Sequence, residues 1–418
     1  MNNNSNGMIR TLREMTGNAR ACIWTEPLWG IPFNLCAAYV SVYMAALGMS
    51  KTDIGMVGSA YLAVSMLASI MSGVLTDKLG RKRTTFIFDM IIWGIPELLW
   101  AFAQNKSWFV IAAMLNGMMR ITGNSWGLLM VEDTEDEMVL RFNALAQLMG
   151  LITVFVAPLS GFAVNHFGVI MTMRTLYLMG FVMMMSKFFI LNMMATETKI
   201  GRQRMEETKN QSLWKLLKSC GDVFWHLLRE KRILLTMALI AVFQIVSELN
   251  KAYLSLYALE TIGVAESHWA YIAAVKSFVT LLCIVAIVPK MRVASFKKPM
   301  LVGWGLFILG QLLVTFAPAG SVGISILYVS AVLEGVALSL ISPMIDSMLV
   351  INADPTRRAR IYGLVHGTIL LPVIFFPILA GKLAESVLQQ APFVINLLML
   401  ALGAILTVRL SKERQLAS

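Results

Sequence analysis

The 418 residues alternate between long apolar runs and short polar interruptions. A bilayer's hydrocarbon core is about 30 Å thick and takes about 20 apolar residues of helix to cross. Twelve stretches have that length, near 22–48, 54–76, 84–104, 107–131, 142–165 and 170–195, then after a polar gap near 232–260, 267–289, 299–318, 322–350, 360–385 and 391–409. Backbone polar groups left unpaired in lipid are too costly for irregular structure. The pattern therefore predicts an all-α membrane protein with twelve transmembrane helices.

Composition agrees. Hydrophobic residues make up 57% of the chain and charged residues 14%, whereas a soluble domain carries about a quarter charged. The net charge of +11 raises the question of nucleic acid, and its distribution answers it. Lysine and arginine track alternate loops: Lys78 to Arg83, Lys290 to Lys298, and Arg357 to Arg360, with the N-terminal tail, the central loop and Arg409, Lys412 and Arg414 on the same side. The opposite loops show little beyond Lys51 and Lys106. That asymmetry is topological and places both termini in the cytosol, with the protein in the plasma membrane. No nucleic-acid partner is expected. The polar start of the chain reads as a cytosolic tail, not a cleaved signal. Cys22, Cys36, Cys220 and Cys283, like the four histidines, show no disulfide or metal-ligand spacing. No cofactor, no metal and no nucleophile–base constellation is expected, and the chain does not read as an enzyme.

The organisation predicted is a tail at 1–20, a six-helix bundle at 21–197, a linker at 198–231, a second bundle at 232–410 and a tail at 411–418. In the linker, Leu213, Leu216, Leu217, Phe224 and Leu228 oppose Lys215, Lys218 and Arg229. That face suits an amphipathic helix on the membrane surface or a plain connecting helix. An internal repeat supports two pseudo-symmetric halves. The hexapeptide at 38–43 reads AYVSVY and that at 252–257 reads AYLSLY, and at the same offset Arg120 falls on Glu334.

The loop after the second run reads Gly73-Val-Leu-Thr-Asp77-Lys-Leu-Gly80-Arg81-Lys82-Arg83. Gly80 permits a tight turn, and Asp77 can face the positive end of a neighbouring helix. Arg81 has an acidic partner available at Glu132 and Asp133. This loop resembles the hallmark G-x-L-x-D-[KR]-x-G-R-[KR]-[KR] of the major facilitator superfamily at every defined position. The resemblance implies the two-bundle fold of a secondary transporter. It also implies that the loop is a cytosolic gate, with Asp77 meeting the start of the eleventh helix. A second family pattern, in the fifth helix of drug/proton antiporters, is poorly met: Pro158 and Gly161 fit, but Thr153, Ala157 and Phe162 do not.

Ionisable groups near the bilayer centre cost about 2.5–3.5 kcal/mol on insertion scales and are functional candidates by default. The resemblance implies that helices one, four, seven and ten line the central cavity, so their charges come first. Arg120, Glu248, Lys251 and Glu334, with Asn34 and Lys276, are the candidate substrate-binding residues. Glu26, Glu248 and Glu334 are the candidates for proton coupling, since burial raises a carboxylate's pKa and an approaching cation lowers it. Arg120 cannot lose its proton, so it needs an anion, either Glu334, Glu26 or the substrate. For each pair the alternative is that the charges neutralise one another and fasten helices together. Asp89, Glu97 and Lys187, on the third and sixth helices, read as structural or snorkelling, and Asp346 as a gate or a cap. The expected function is alternating-access transport of a small polar or charged organic solute, coupled to a proton, by a monomer. The alternatives are proton-driven efflux of lipophilic cations and a transporter-like solute sensor.

Overall fold

The computed structural model describes residues 15–134, 136–212, 231–287, 291, 296–352 and 358–415. The expected amphipathic face at 213–228 lies outside these residues, as do Cys220, Arg357 and the side chains of Arg360 and Asp346. The first six helical passages are α1 (Gly17–Thr25, Pro27–Ala37 and Val40–Ala46), α2 (Lys51–Leu79), α3 (Arg81–Phe102), α4 (Lys106–Gly117 and Met119–Val131), α5 (Asp136–Val154 and Ala157–Phe167) and α6 (Val169–Met194). A short linker helix, Lys199–Thr208, follows. The second six are α7 (Lys231–Ile262), α8 (Glu266–Ala286), α9 (Lys297–Thr315), α10 (Ser321–Asn352), α11 (Arg358–Val373 and Phe375–Ser386) and α12 (Ala391–Gln415). Among the described residues nine helices are long and apolar enough to span a membrane, and ten with the bent α1. The broken α4 and the shorter α8 bring the passages to twelve.

Prolines account for several breaks. Pro27 opens the second segment of α1, and Pro158 sits in the first turn of the second segment of α5. In α3 a π turn at Met90–Gly94 precedes Pro96. A proline cannot donate to the carbonyl four residues back, here that of Ile92. The Asn116 amide of α4 donates to that oxygen instead, at 2.6 Å. The tetrapeptide WGIP occurs twice, at 29–32 and 93–96, and the two copies meet here: the Trp29 and Trp93 rings pack edge to face at 5.2 Å.

The packing divides along the membrane normal. At the end bearing the basic loops, hereafter the basic end, the two halves keep separate cores, one around Ile23, Leu129, Phe142 and Leu191, the other around Trp304, Ile341, Ile369 and Leu410. At the far end a single core joins both, including Tyr39, Tyr43, Phe109, Tyr253, Tyr257 and Phe393. The hexapeptide repeat builds this seam. Tyr39 donates across the halves to the Glu266 carbonyl at 2.5 Å; its counterpart Tyr253 donates to the Pro377 carbonyl of its own half at 2.6 Å and reaches back across to that of Lys51 at 3.2 Å. Tyr43 and Tyr257 stay within their halves, donating to Trp100 and Thr315. Further cross-half contacts are Trp269 to the Ala38 carbonyl (2.9 Å), Thr52 to Glu385 (2.6 Å) and Lys51 to Glu260 (2.8 Å). The far end is closed.

Glycines make that closure tight. A Cβ on Gly55 would overlap the Pro377 carbonyl, and one on Gly381 would fall 2.5 Å from the Lys51 carbonyl. Backbone cannot give way as a side-chain tip can. Gly55→Ala is therefore expected to part the far end. Spin labels at Asn105 and Leu388 should then report a longer-distance population, and an unchanged distance distribution would count against this account of the seal.

Candidate functional site

At the basic end, α2 turns into α3 through Gly80, whose φ of 85° and ψ of 164° lie where only glycine is comfortable. The turn leaves the first N–H groups of α3 without partners inside the helix. Glu197 supplies one: its carboxylate accepts from the backbone N–H of Arg81 and of Lys82, both at 3.0 Å. An anion suits that position, because the helix dipole is positive there. A Cβ on Gly80 would lie 2.5 Å from Glu197 Oε2, and one on Gly201 would overlap Oε1, so both glycines make room for this carboxylate.

The Arg81 guanidinium is buried and reaches Glu132 through Nε and Nη2 at 2.9 Å, and Asp77 through Nη1 at 3.1 Å. Glu132 also accepts from the Thr198 hydroxyl at 2.6 Å, while Asp133 accepts from the Lys199 N–H at 3.0 Å. Thr208 donates to the Asp77 carbonyl, and Lys78 to that of Gln211. The expected meeting of Asp77 with the start of α11 falls on a helix end, 358–364, whose side chains lie outside the described residues. Gly73 is exposed with open space around it, and Arg83 is exposed. The whole cluster therefore clamps α2, α3, α4 and the linker helix together within one half. Sequence reasoning missed Glu197. The available signal was Thr198, a helix-capping residue whose hydroxyl accepts from the Gly201 N–H.

Between the halves, Tyr61 of α2 marks a crevice. Arg120 of α4 and Glu248 and Lys251 of α7 all act on it electrostatically. Lys251 Nζ lies 5.2 Å from the Tyr61 ring centroid, and Arg120 also lies within electrostatic reach of His366 on α11. Three predicted site residues from both halves thus converge, together with two that sequence reasoning did not name. Glu248 accepts from the Gln244 amide at 3.0 Å. Arg120 is exposed and, among the described residues, makes no hydrogen bond or ion pair. Its neighbours along the helix are otherwise engaged: Asn116 holds α3, and Asn124 donates to Thr76 of α2 at 3.3 Å. The break at Met118 puts Asn116 in one segment of α4 and Arg120 and Asn124 in the next.

The remaining predicted site residues lie elsewhere. Glu334, 1% exposed, is enclosed in the second half, where it takes Lys276 Nζ at 2.7 Å and Gln311 Nε2 at 2.9 Å. Asn396 bridges Gln311 and Asn250, so one polar chain links α7, α8, α9, α10 and α12. Glu334 is therefore not the partner of Arg120. Equal offset in a repeat marks equivalent positions in the two halves, and equivalent positions need not touch. Glu26 pairs with Lys187 of α6 at 2.8 Å, and Lys187 is buried there and does not snorkel. Asn34 fastens α1 to α5, donating to Thr153 Oγ1 at 3.0 Å. No group of three or more His, Cys, Asp or Glu among the described residues could hold a metal ion.

Known proteins share this architecture. The nucleoside transporter NupG superposes with a TM-score of 0.69, covering 94% of this chain and 98% of that one at 16% identity. A POT family transporter, solved in complex with a thioalcohol-conjugated peptide, gives 0.71 over 95% and 98% at 15% identity. The human organic anion transporter MFSD10 gives 0.62 over 93% and 99% at 15% identity. At these identities the likeness shows the fold alone. Among curated proteins the quinolone resistance protein NorA of Staphylococcus aureus is 29% identical over 85 residues. That match spans only 20% of this chain and 22% of NorA. The family model described as Major Facilitator Superfamily matches residues 30–296 and 291–417. The chain belongs to the major facilitator superfamily and is a secondary transporter, not an enzyme.

Proposed function

We propose that this transporter carries a small organic anion, or the anionic end of a zwitterion, together with a proton, through the crevice around Tyr61. The halves at 21–197 and 232–410 rock about the linker at 198–231, with the basic end and both termini in the cytosol. The carrying observation is the Arg120 guanidinium, which has no partner among the described residues. Its charge cannot be titrated away, and an uncompensated charge is costly once water is excluded. While the crevice is open, water serves; when it closes, an anion must be present.

Charge bookkeeping suggests how the proton enters. With Glu248 ionised, Arg120, Lys251 and Glu248 sum to one positive charge, and Glu248 can serve Arg120 as the internal anion during return of the empty carrier. With Glu248 protonated and a monoanion bound, the sum is again one positive charge. Proton and anion loading together therefore close the crevice at the same charge as the empty return. Of the three carboxylates considered for coupling, Glu248 borders the crevice, whereas Glu26 and Glu334 already hold lysines.

A second reading, efflux of a lipophilic cation, draws on the short match to NorA. A thermal-shift screen of the purified protein against carboxylates, zwitterions and lipophilic cations separates the two. Hits would then go into proteoliposomes with an imposed pH gradient. Stabilisation by anions, and uptake accelerated by protons on the same side, are the expected results. Stabilisation by lipophilic cations alone would sink the anion reading.

A further inference from the structure

A second charged site lies inside the N-terminal half, away from the crevice. Asp89 of α3 and Lys187 of α6 are each 5% exposed. Asp89 sits beside the Thr122 hydroxyl of α4 and within electrostatic reach of both Lys187 and Glu26. Two further titratable groups stand near it among the described residues: the buried Cys22 thiol of α1 and, toward the basic end, Lys82 of α3. Lys187 is committed to Glu26 at 2.8 Å and lies 5.6 Å from the ring centroids of both Trp29 and Trp126. Two carboxylates thus share one ammonium. With both ionised, one negative charge stands unbalanced in a low-dielectric interior, where an unpaired charge is neutralised or paired.

A small cavity touches Asp89. It has a volume of about 10 Å³ and is walled mainly by apolar side chains, Phe86, Phe188 and Leu191 among them, with Lys82, Thr85, Asp89 and Asn192 as its polar residues. That is about the space one water requires. Two of its polar residues lie toward the basic end: Lys82 is two turns nearer the start of α3, and Asn192 belongs to the last turn of α6.

We propose that Asp89 is a proton-binding site, reached by water from the basic end between α3 and α6 and separate from the crevice that holds Arg120 and Glu248. A hydronium ion gives its proton to the Asp89 carboxylate and leaves water in the cavity. Glu26 and Lys187 then balance each other alone. The site shares α3 with the basic-end clamp. Lys82, whose N–H is held by Glu197, is seven residues from Asp89, or about 10 Å along the helix. The charge on Asp89 is therefore placed to bias the clamp whatever occupies the crevice.

Infrared difference spectra of the full-length protein in nanodiscs, taken between alkaline and acidic buffer, test this. A protonated-carboxyl band should appear on acidification, shift in heavy water, vanish in Asp89→Asn and persist in Glu248→Gln. Should Asp89→Asn fail to fold, Asp89→Glu keeps the titration and should move the band. Asn192→Cys should react with a membrane-impermeant thiol reagent added at the basic end and not at the far end. Persistence of the band unaltered in both Asp89 variants overturns the proposal, and so does labelling from the far end only. Erasure of the band by sodium chloride at constant pH would also overturn it, since the site would then hold a metal cation. None of these readouts needs a substrate, so a failed anion screen leaves them unaffected.

Discussion

Arg120→Ala is expected to lose the thermal stabilisation that anionic ligands confer, weakening their binding by about 10- to 100-fold. A hydrogen bond to a charged group contributes about 1.5–3 kcal/mol, and each 1.4 kcal/mol is a factor of ten. The effect should be this large because no described side chain substitutes: Lys251 is a second cation, but it sits across the crevice over Tyr61. Arg120→Lys should recover only part of the loss, since an ammonium cannot offer the planar, two-pronged contact of guanidinium to a carboxylate. The unliganded melting temperature should change little, because Arg120 ties no helices together among the described residues. Titration calorimetry with a screened ligand measures the loss. An Arg120→Ala protein binding the anion as tightly as the native protein would remove Arg120 from the site.

The largest stability loss is expected at Lys276. Replacing it by methionine leaves the Glu334 carboxylate, 1% exposed, with the Gln311 amide and a distant Ser330 hydroxyl as its described donors. Removing one partner of a buried pair costs about 3–5 kcal/mol, whereas replacing both by neutral groups of similar shape is often close to neutral. The double variant Lys276→Met/Glu334→Gln should therefore melt nearer to the native protein than Lys276→Met does. The comparison is informative because the amide replacing the Glu334 carboxylate keeps an oxygen that can accept from Gln311. If the single variant melts like the native protein, the pair is not a structural element of the second half.

Much of the fold could be read from the chain, because lipid imposes one requirement that sequence displays directly: long apolar helices with basic loops on alternate sides. The clamp was half legible. Arg81 and Glu132 meet, since a guanidinium and a carboxylate on adjoining loops are drawn together whatever the fine geometry. Glu197 was legible only indirectly, through the capping residue Thr198 beside it, because its own partners are backbone N–H groups. The deep charges were the least legible. Helices that are apolar all round give no angular signal to say which way a lone charge points. Lys187, read as structural or snorkelling, is buried against Glu26. Glu334, a candidate partner for Arg120, is instead held within its own half by Lys276.

The paired tyrosines at the far end have a consequence for how little force the machine needs. Tyr39 and Tyr253 each reach across the seam to one main-chain carbonyl, of Glu266 and of Lys51. A neutral hydrogen bond of this kind is worth about 0.5–1.5 kcal/mol net. These two weak hooks occupy equivalent places in the two halves, and with the Trp269, Thr52 and Lys51 contacts they lie over an apolar seam that both halves share. In a carrier that rocks as proposed, such a joint would act as a toggle, with two resting positions and little reason to stop between them. A cargo that prefers one position by a few kcal/mol would be enough to throw it.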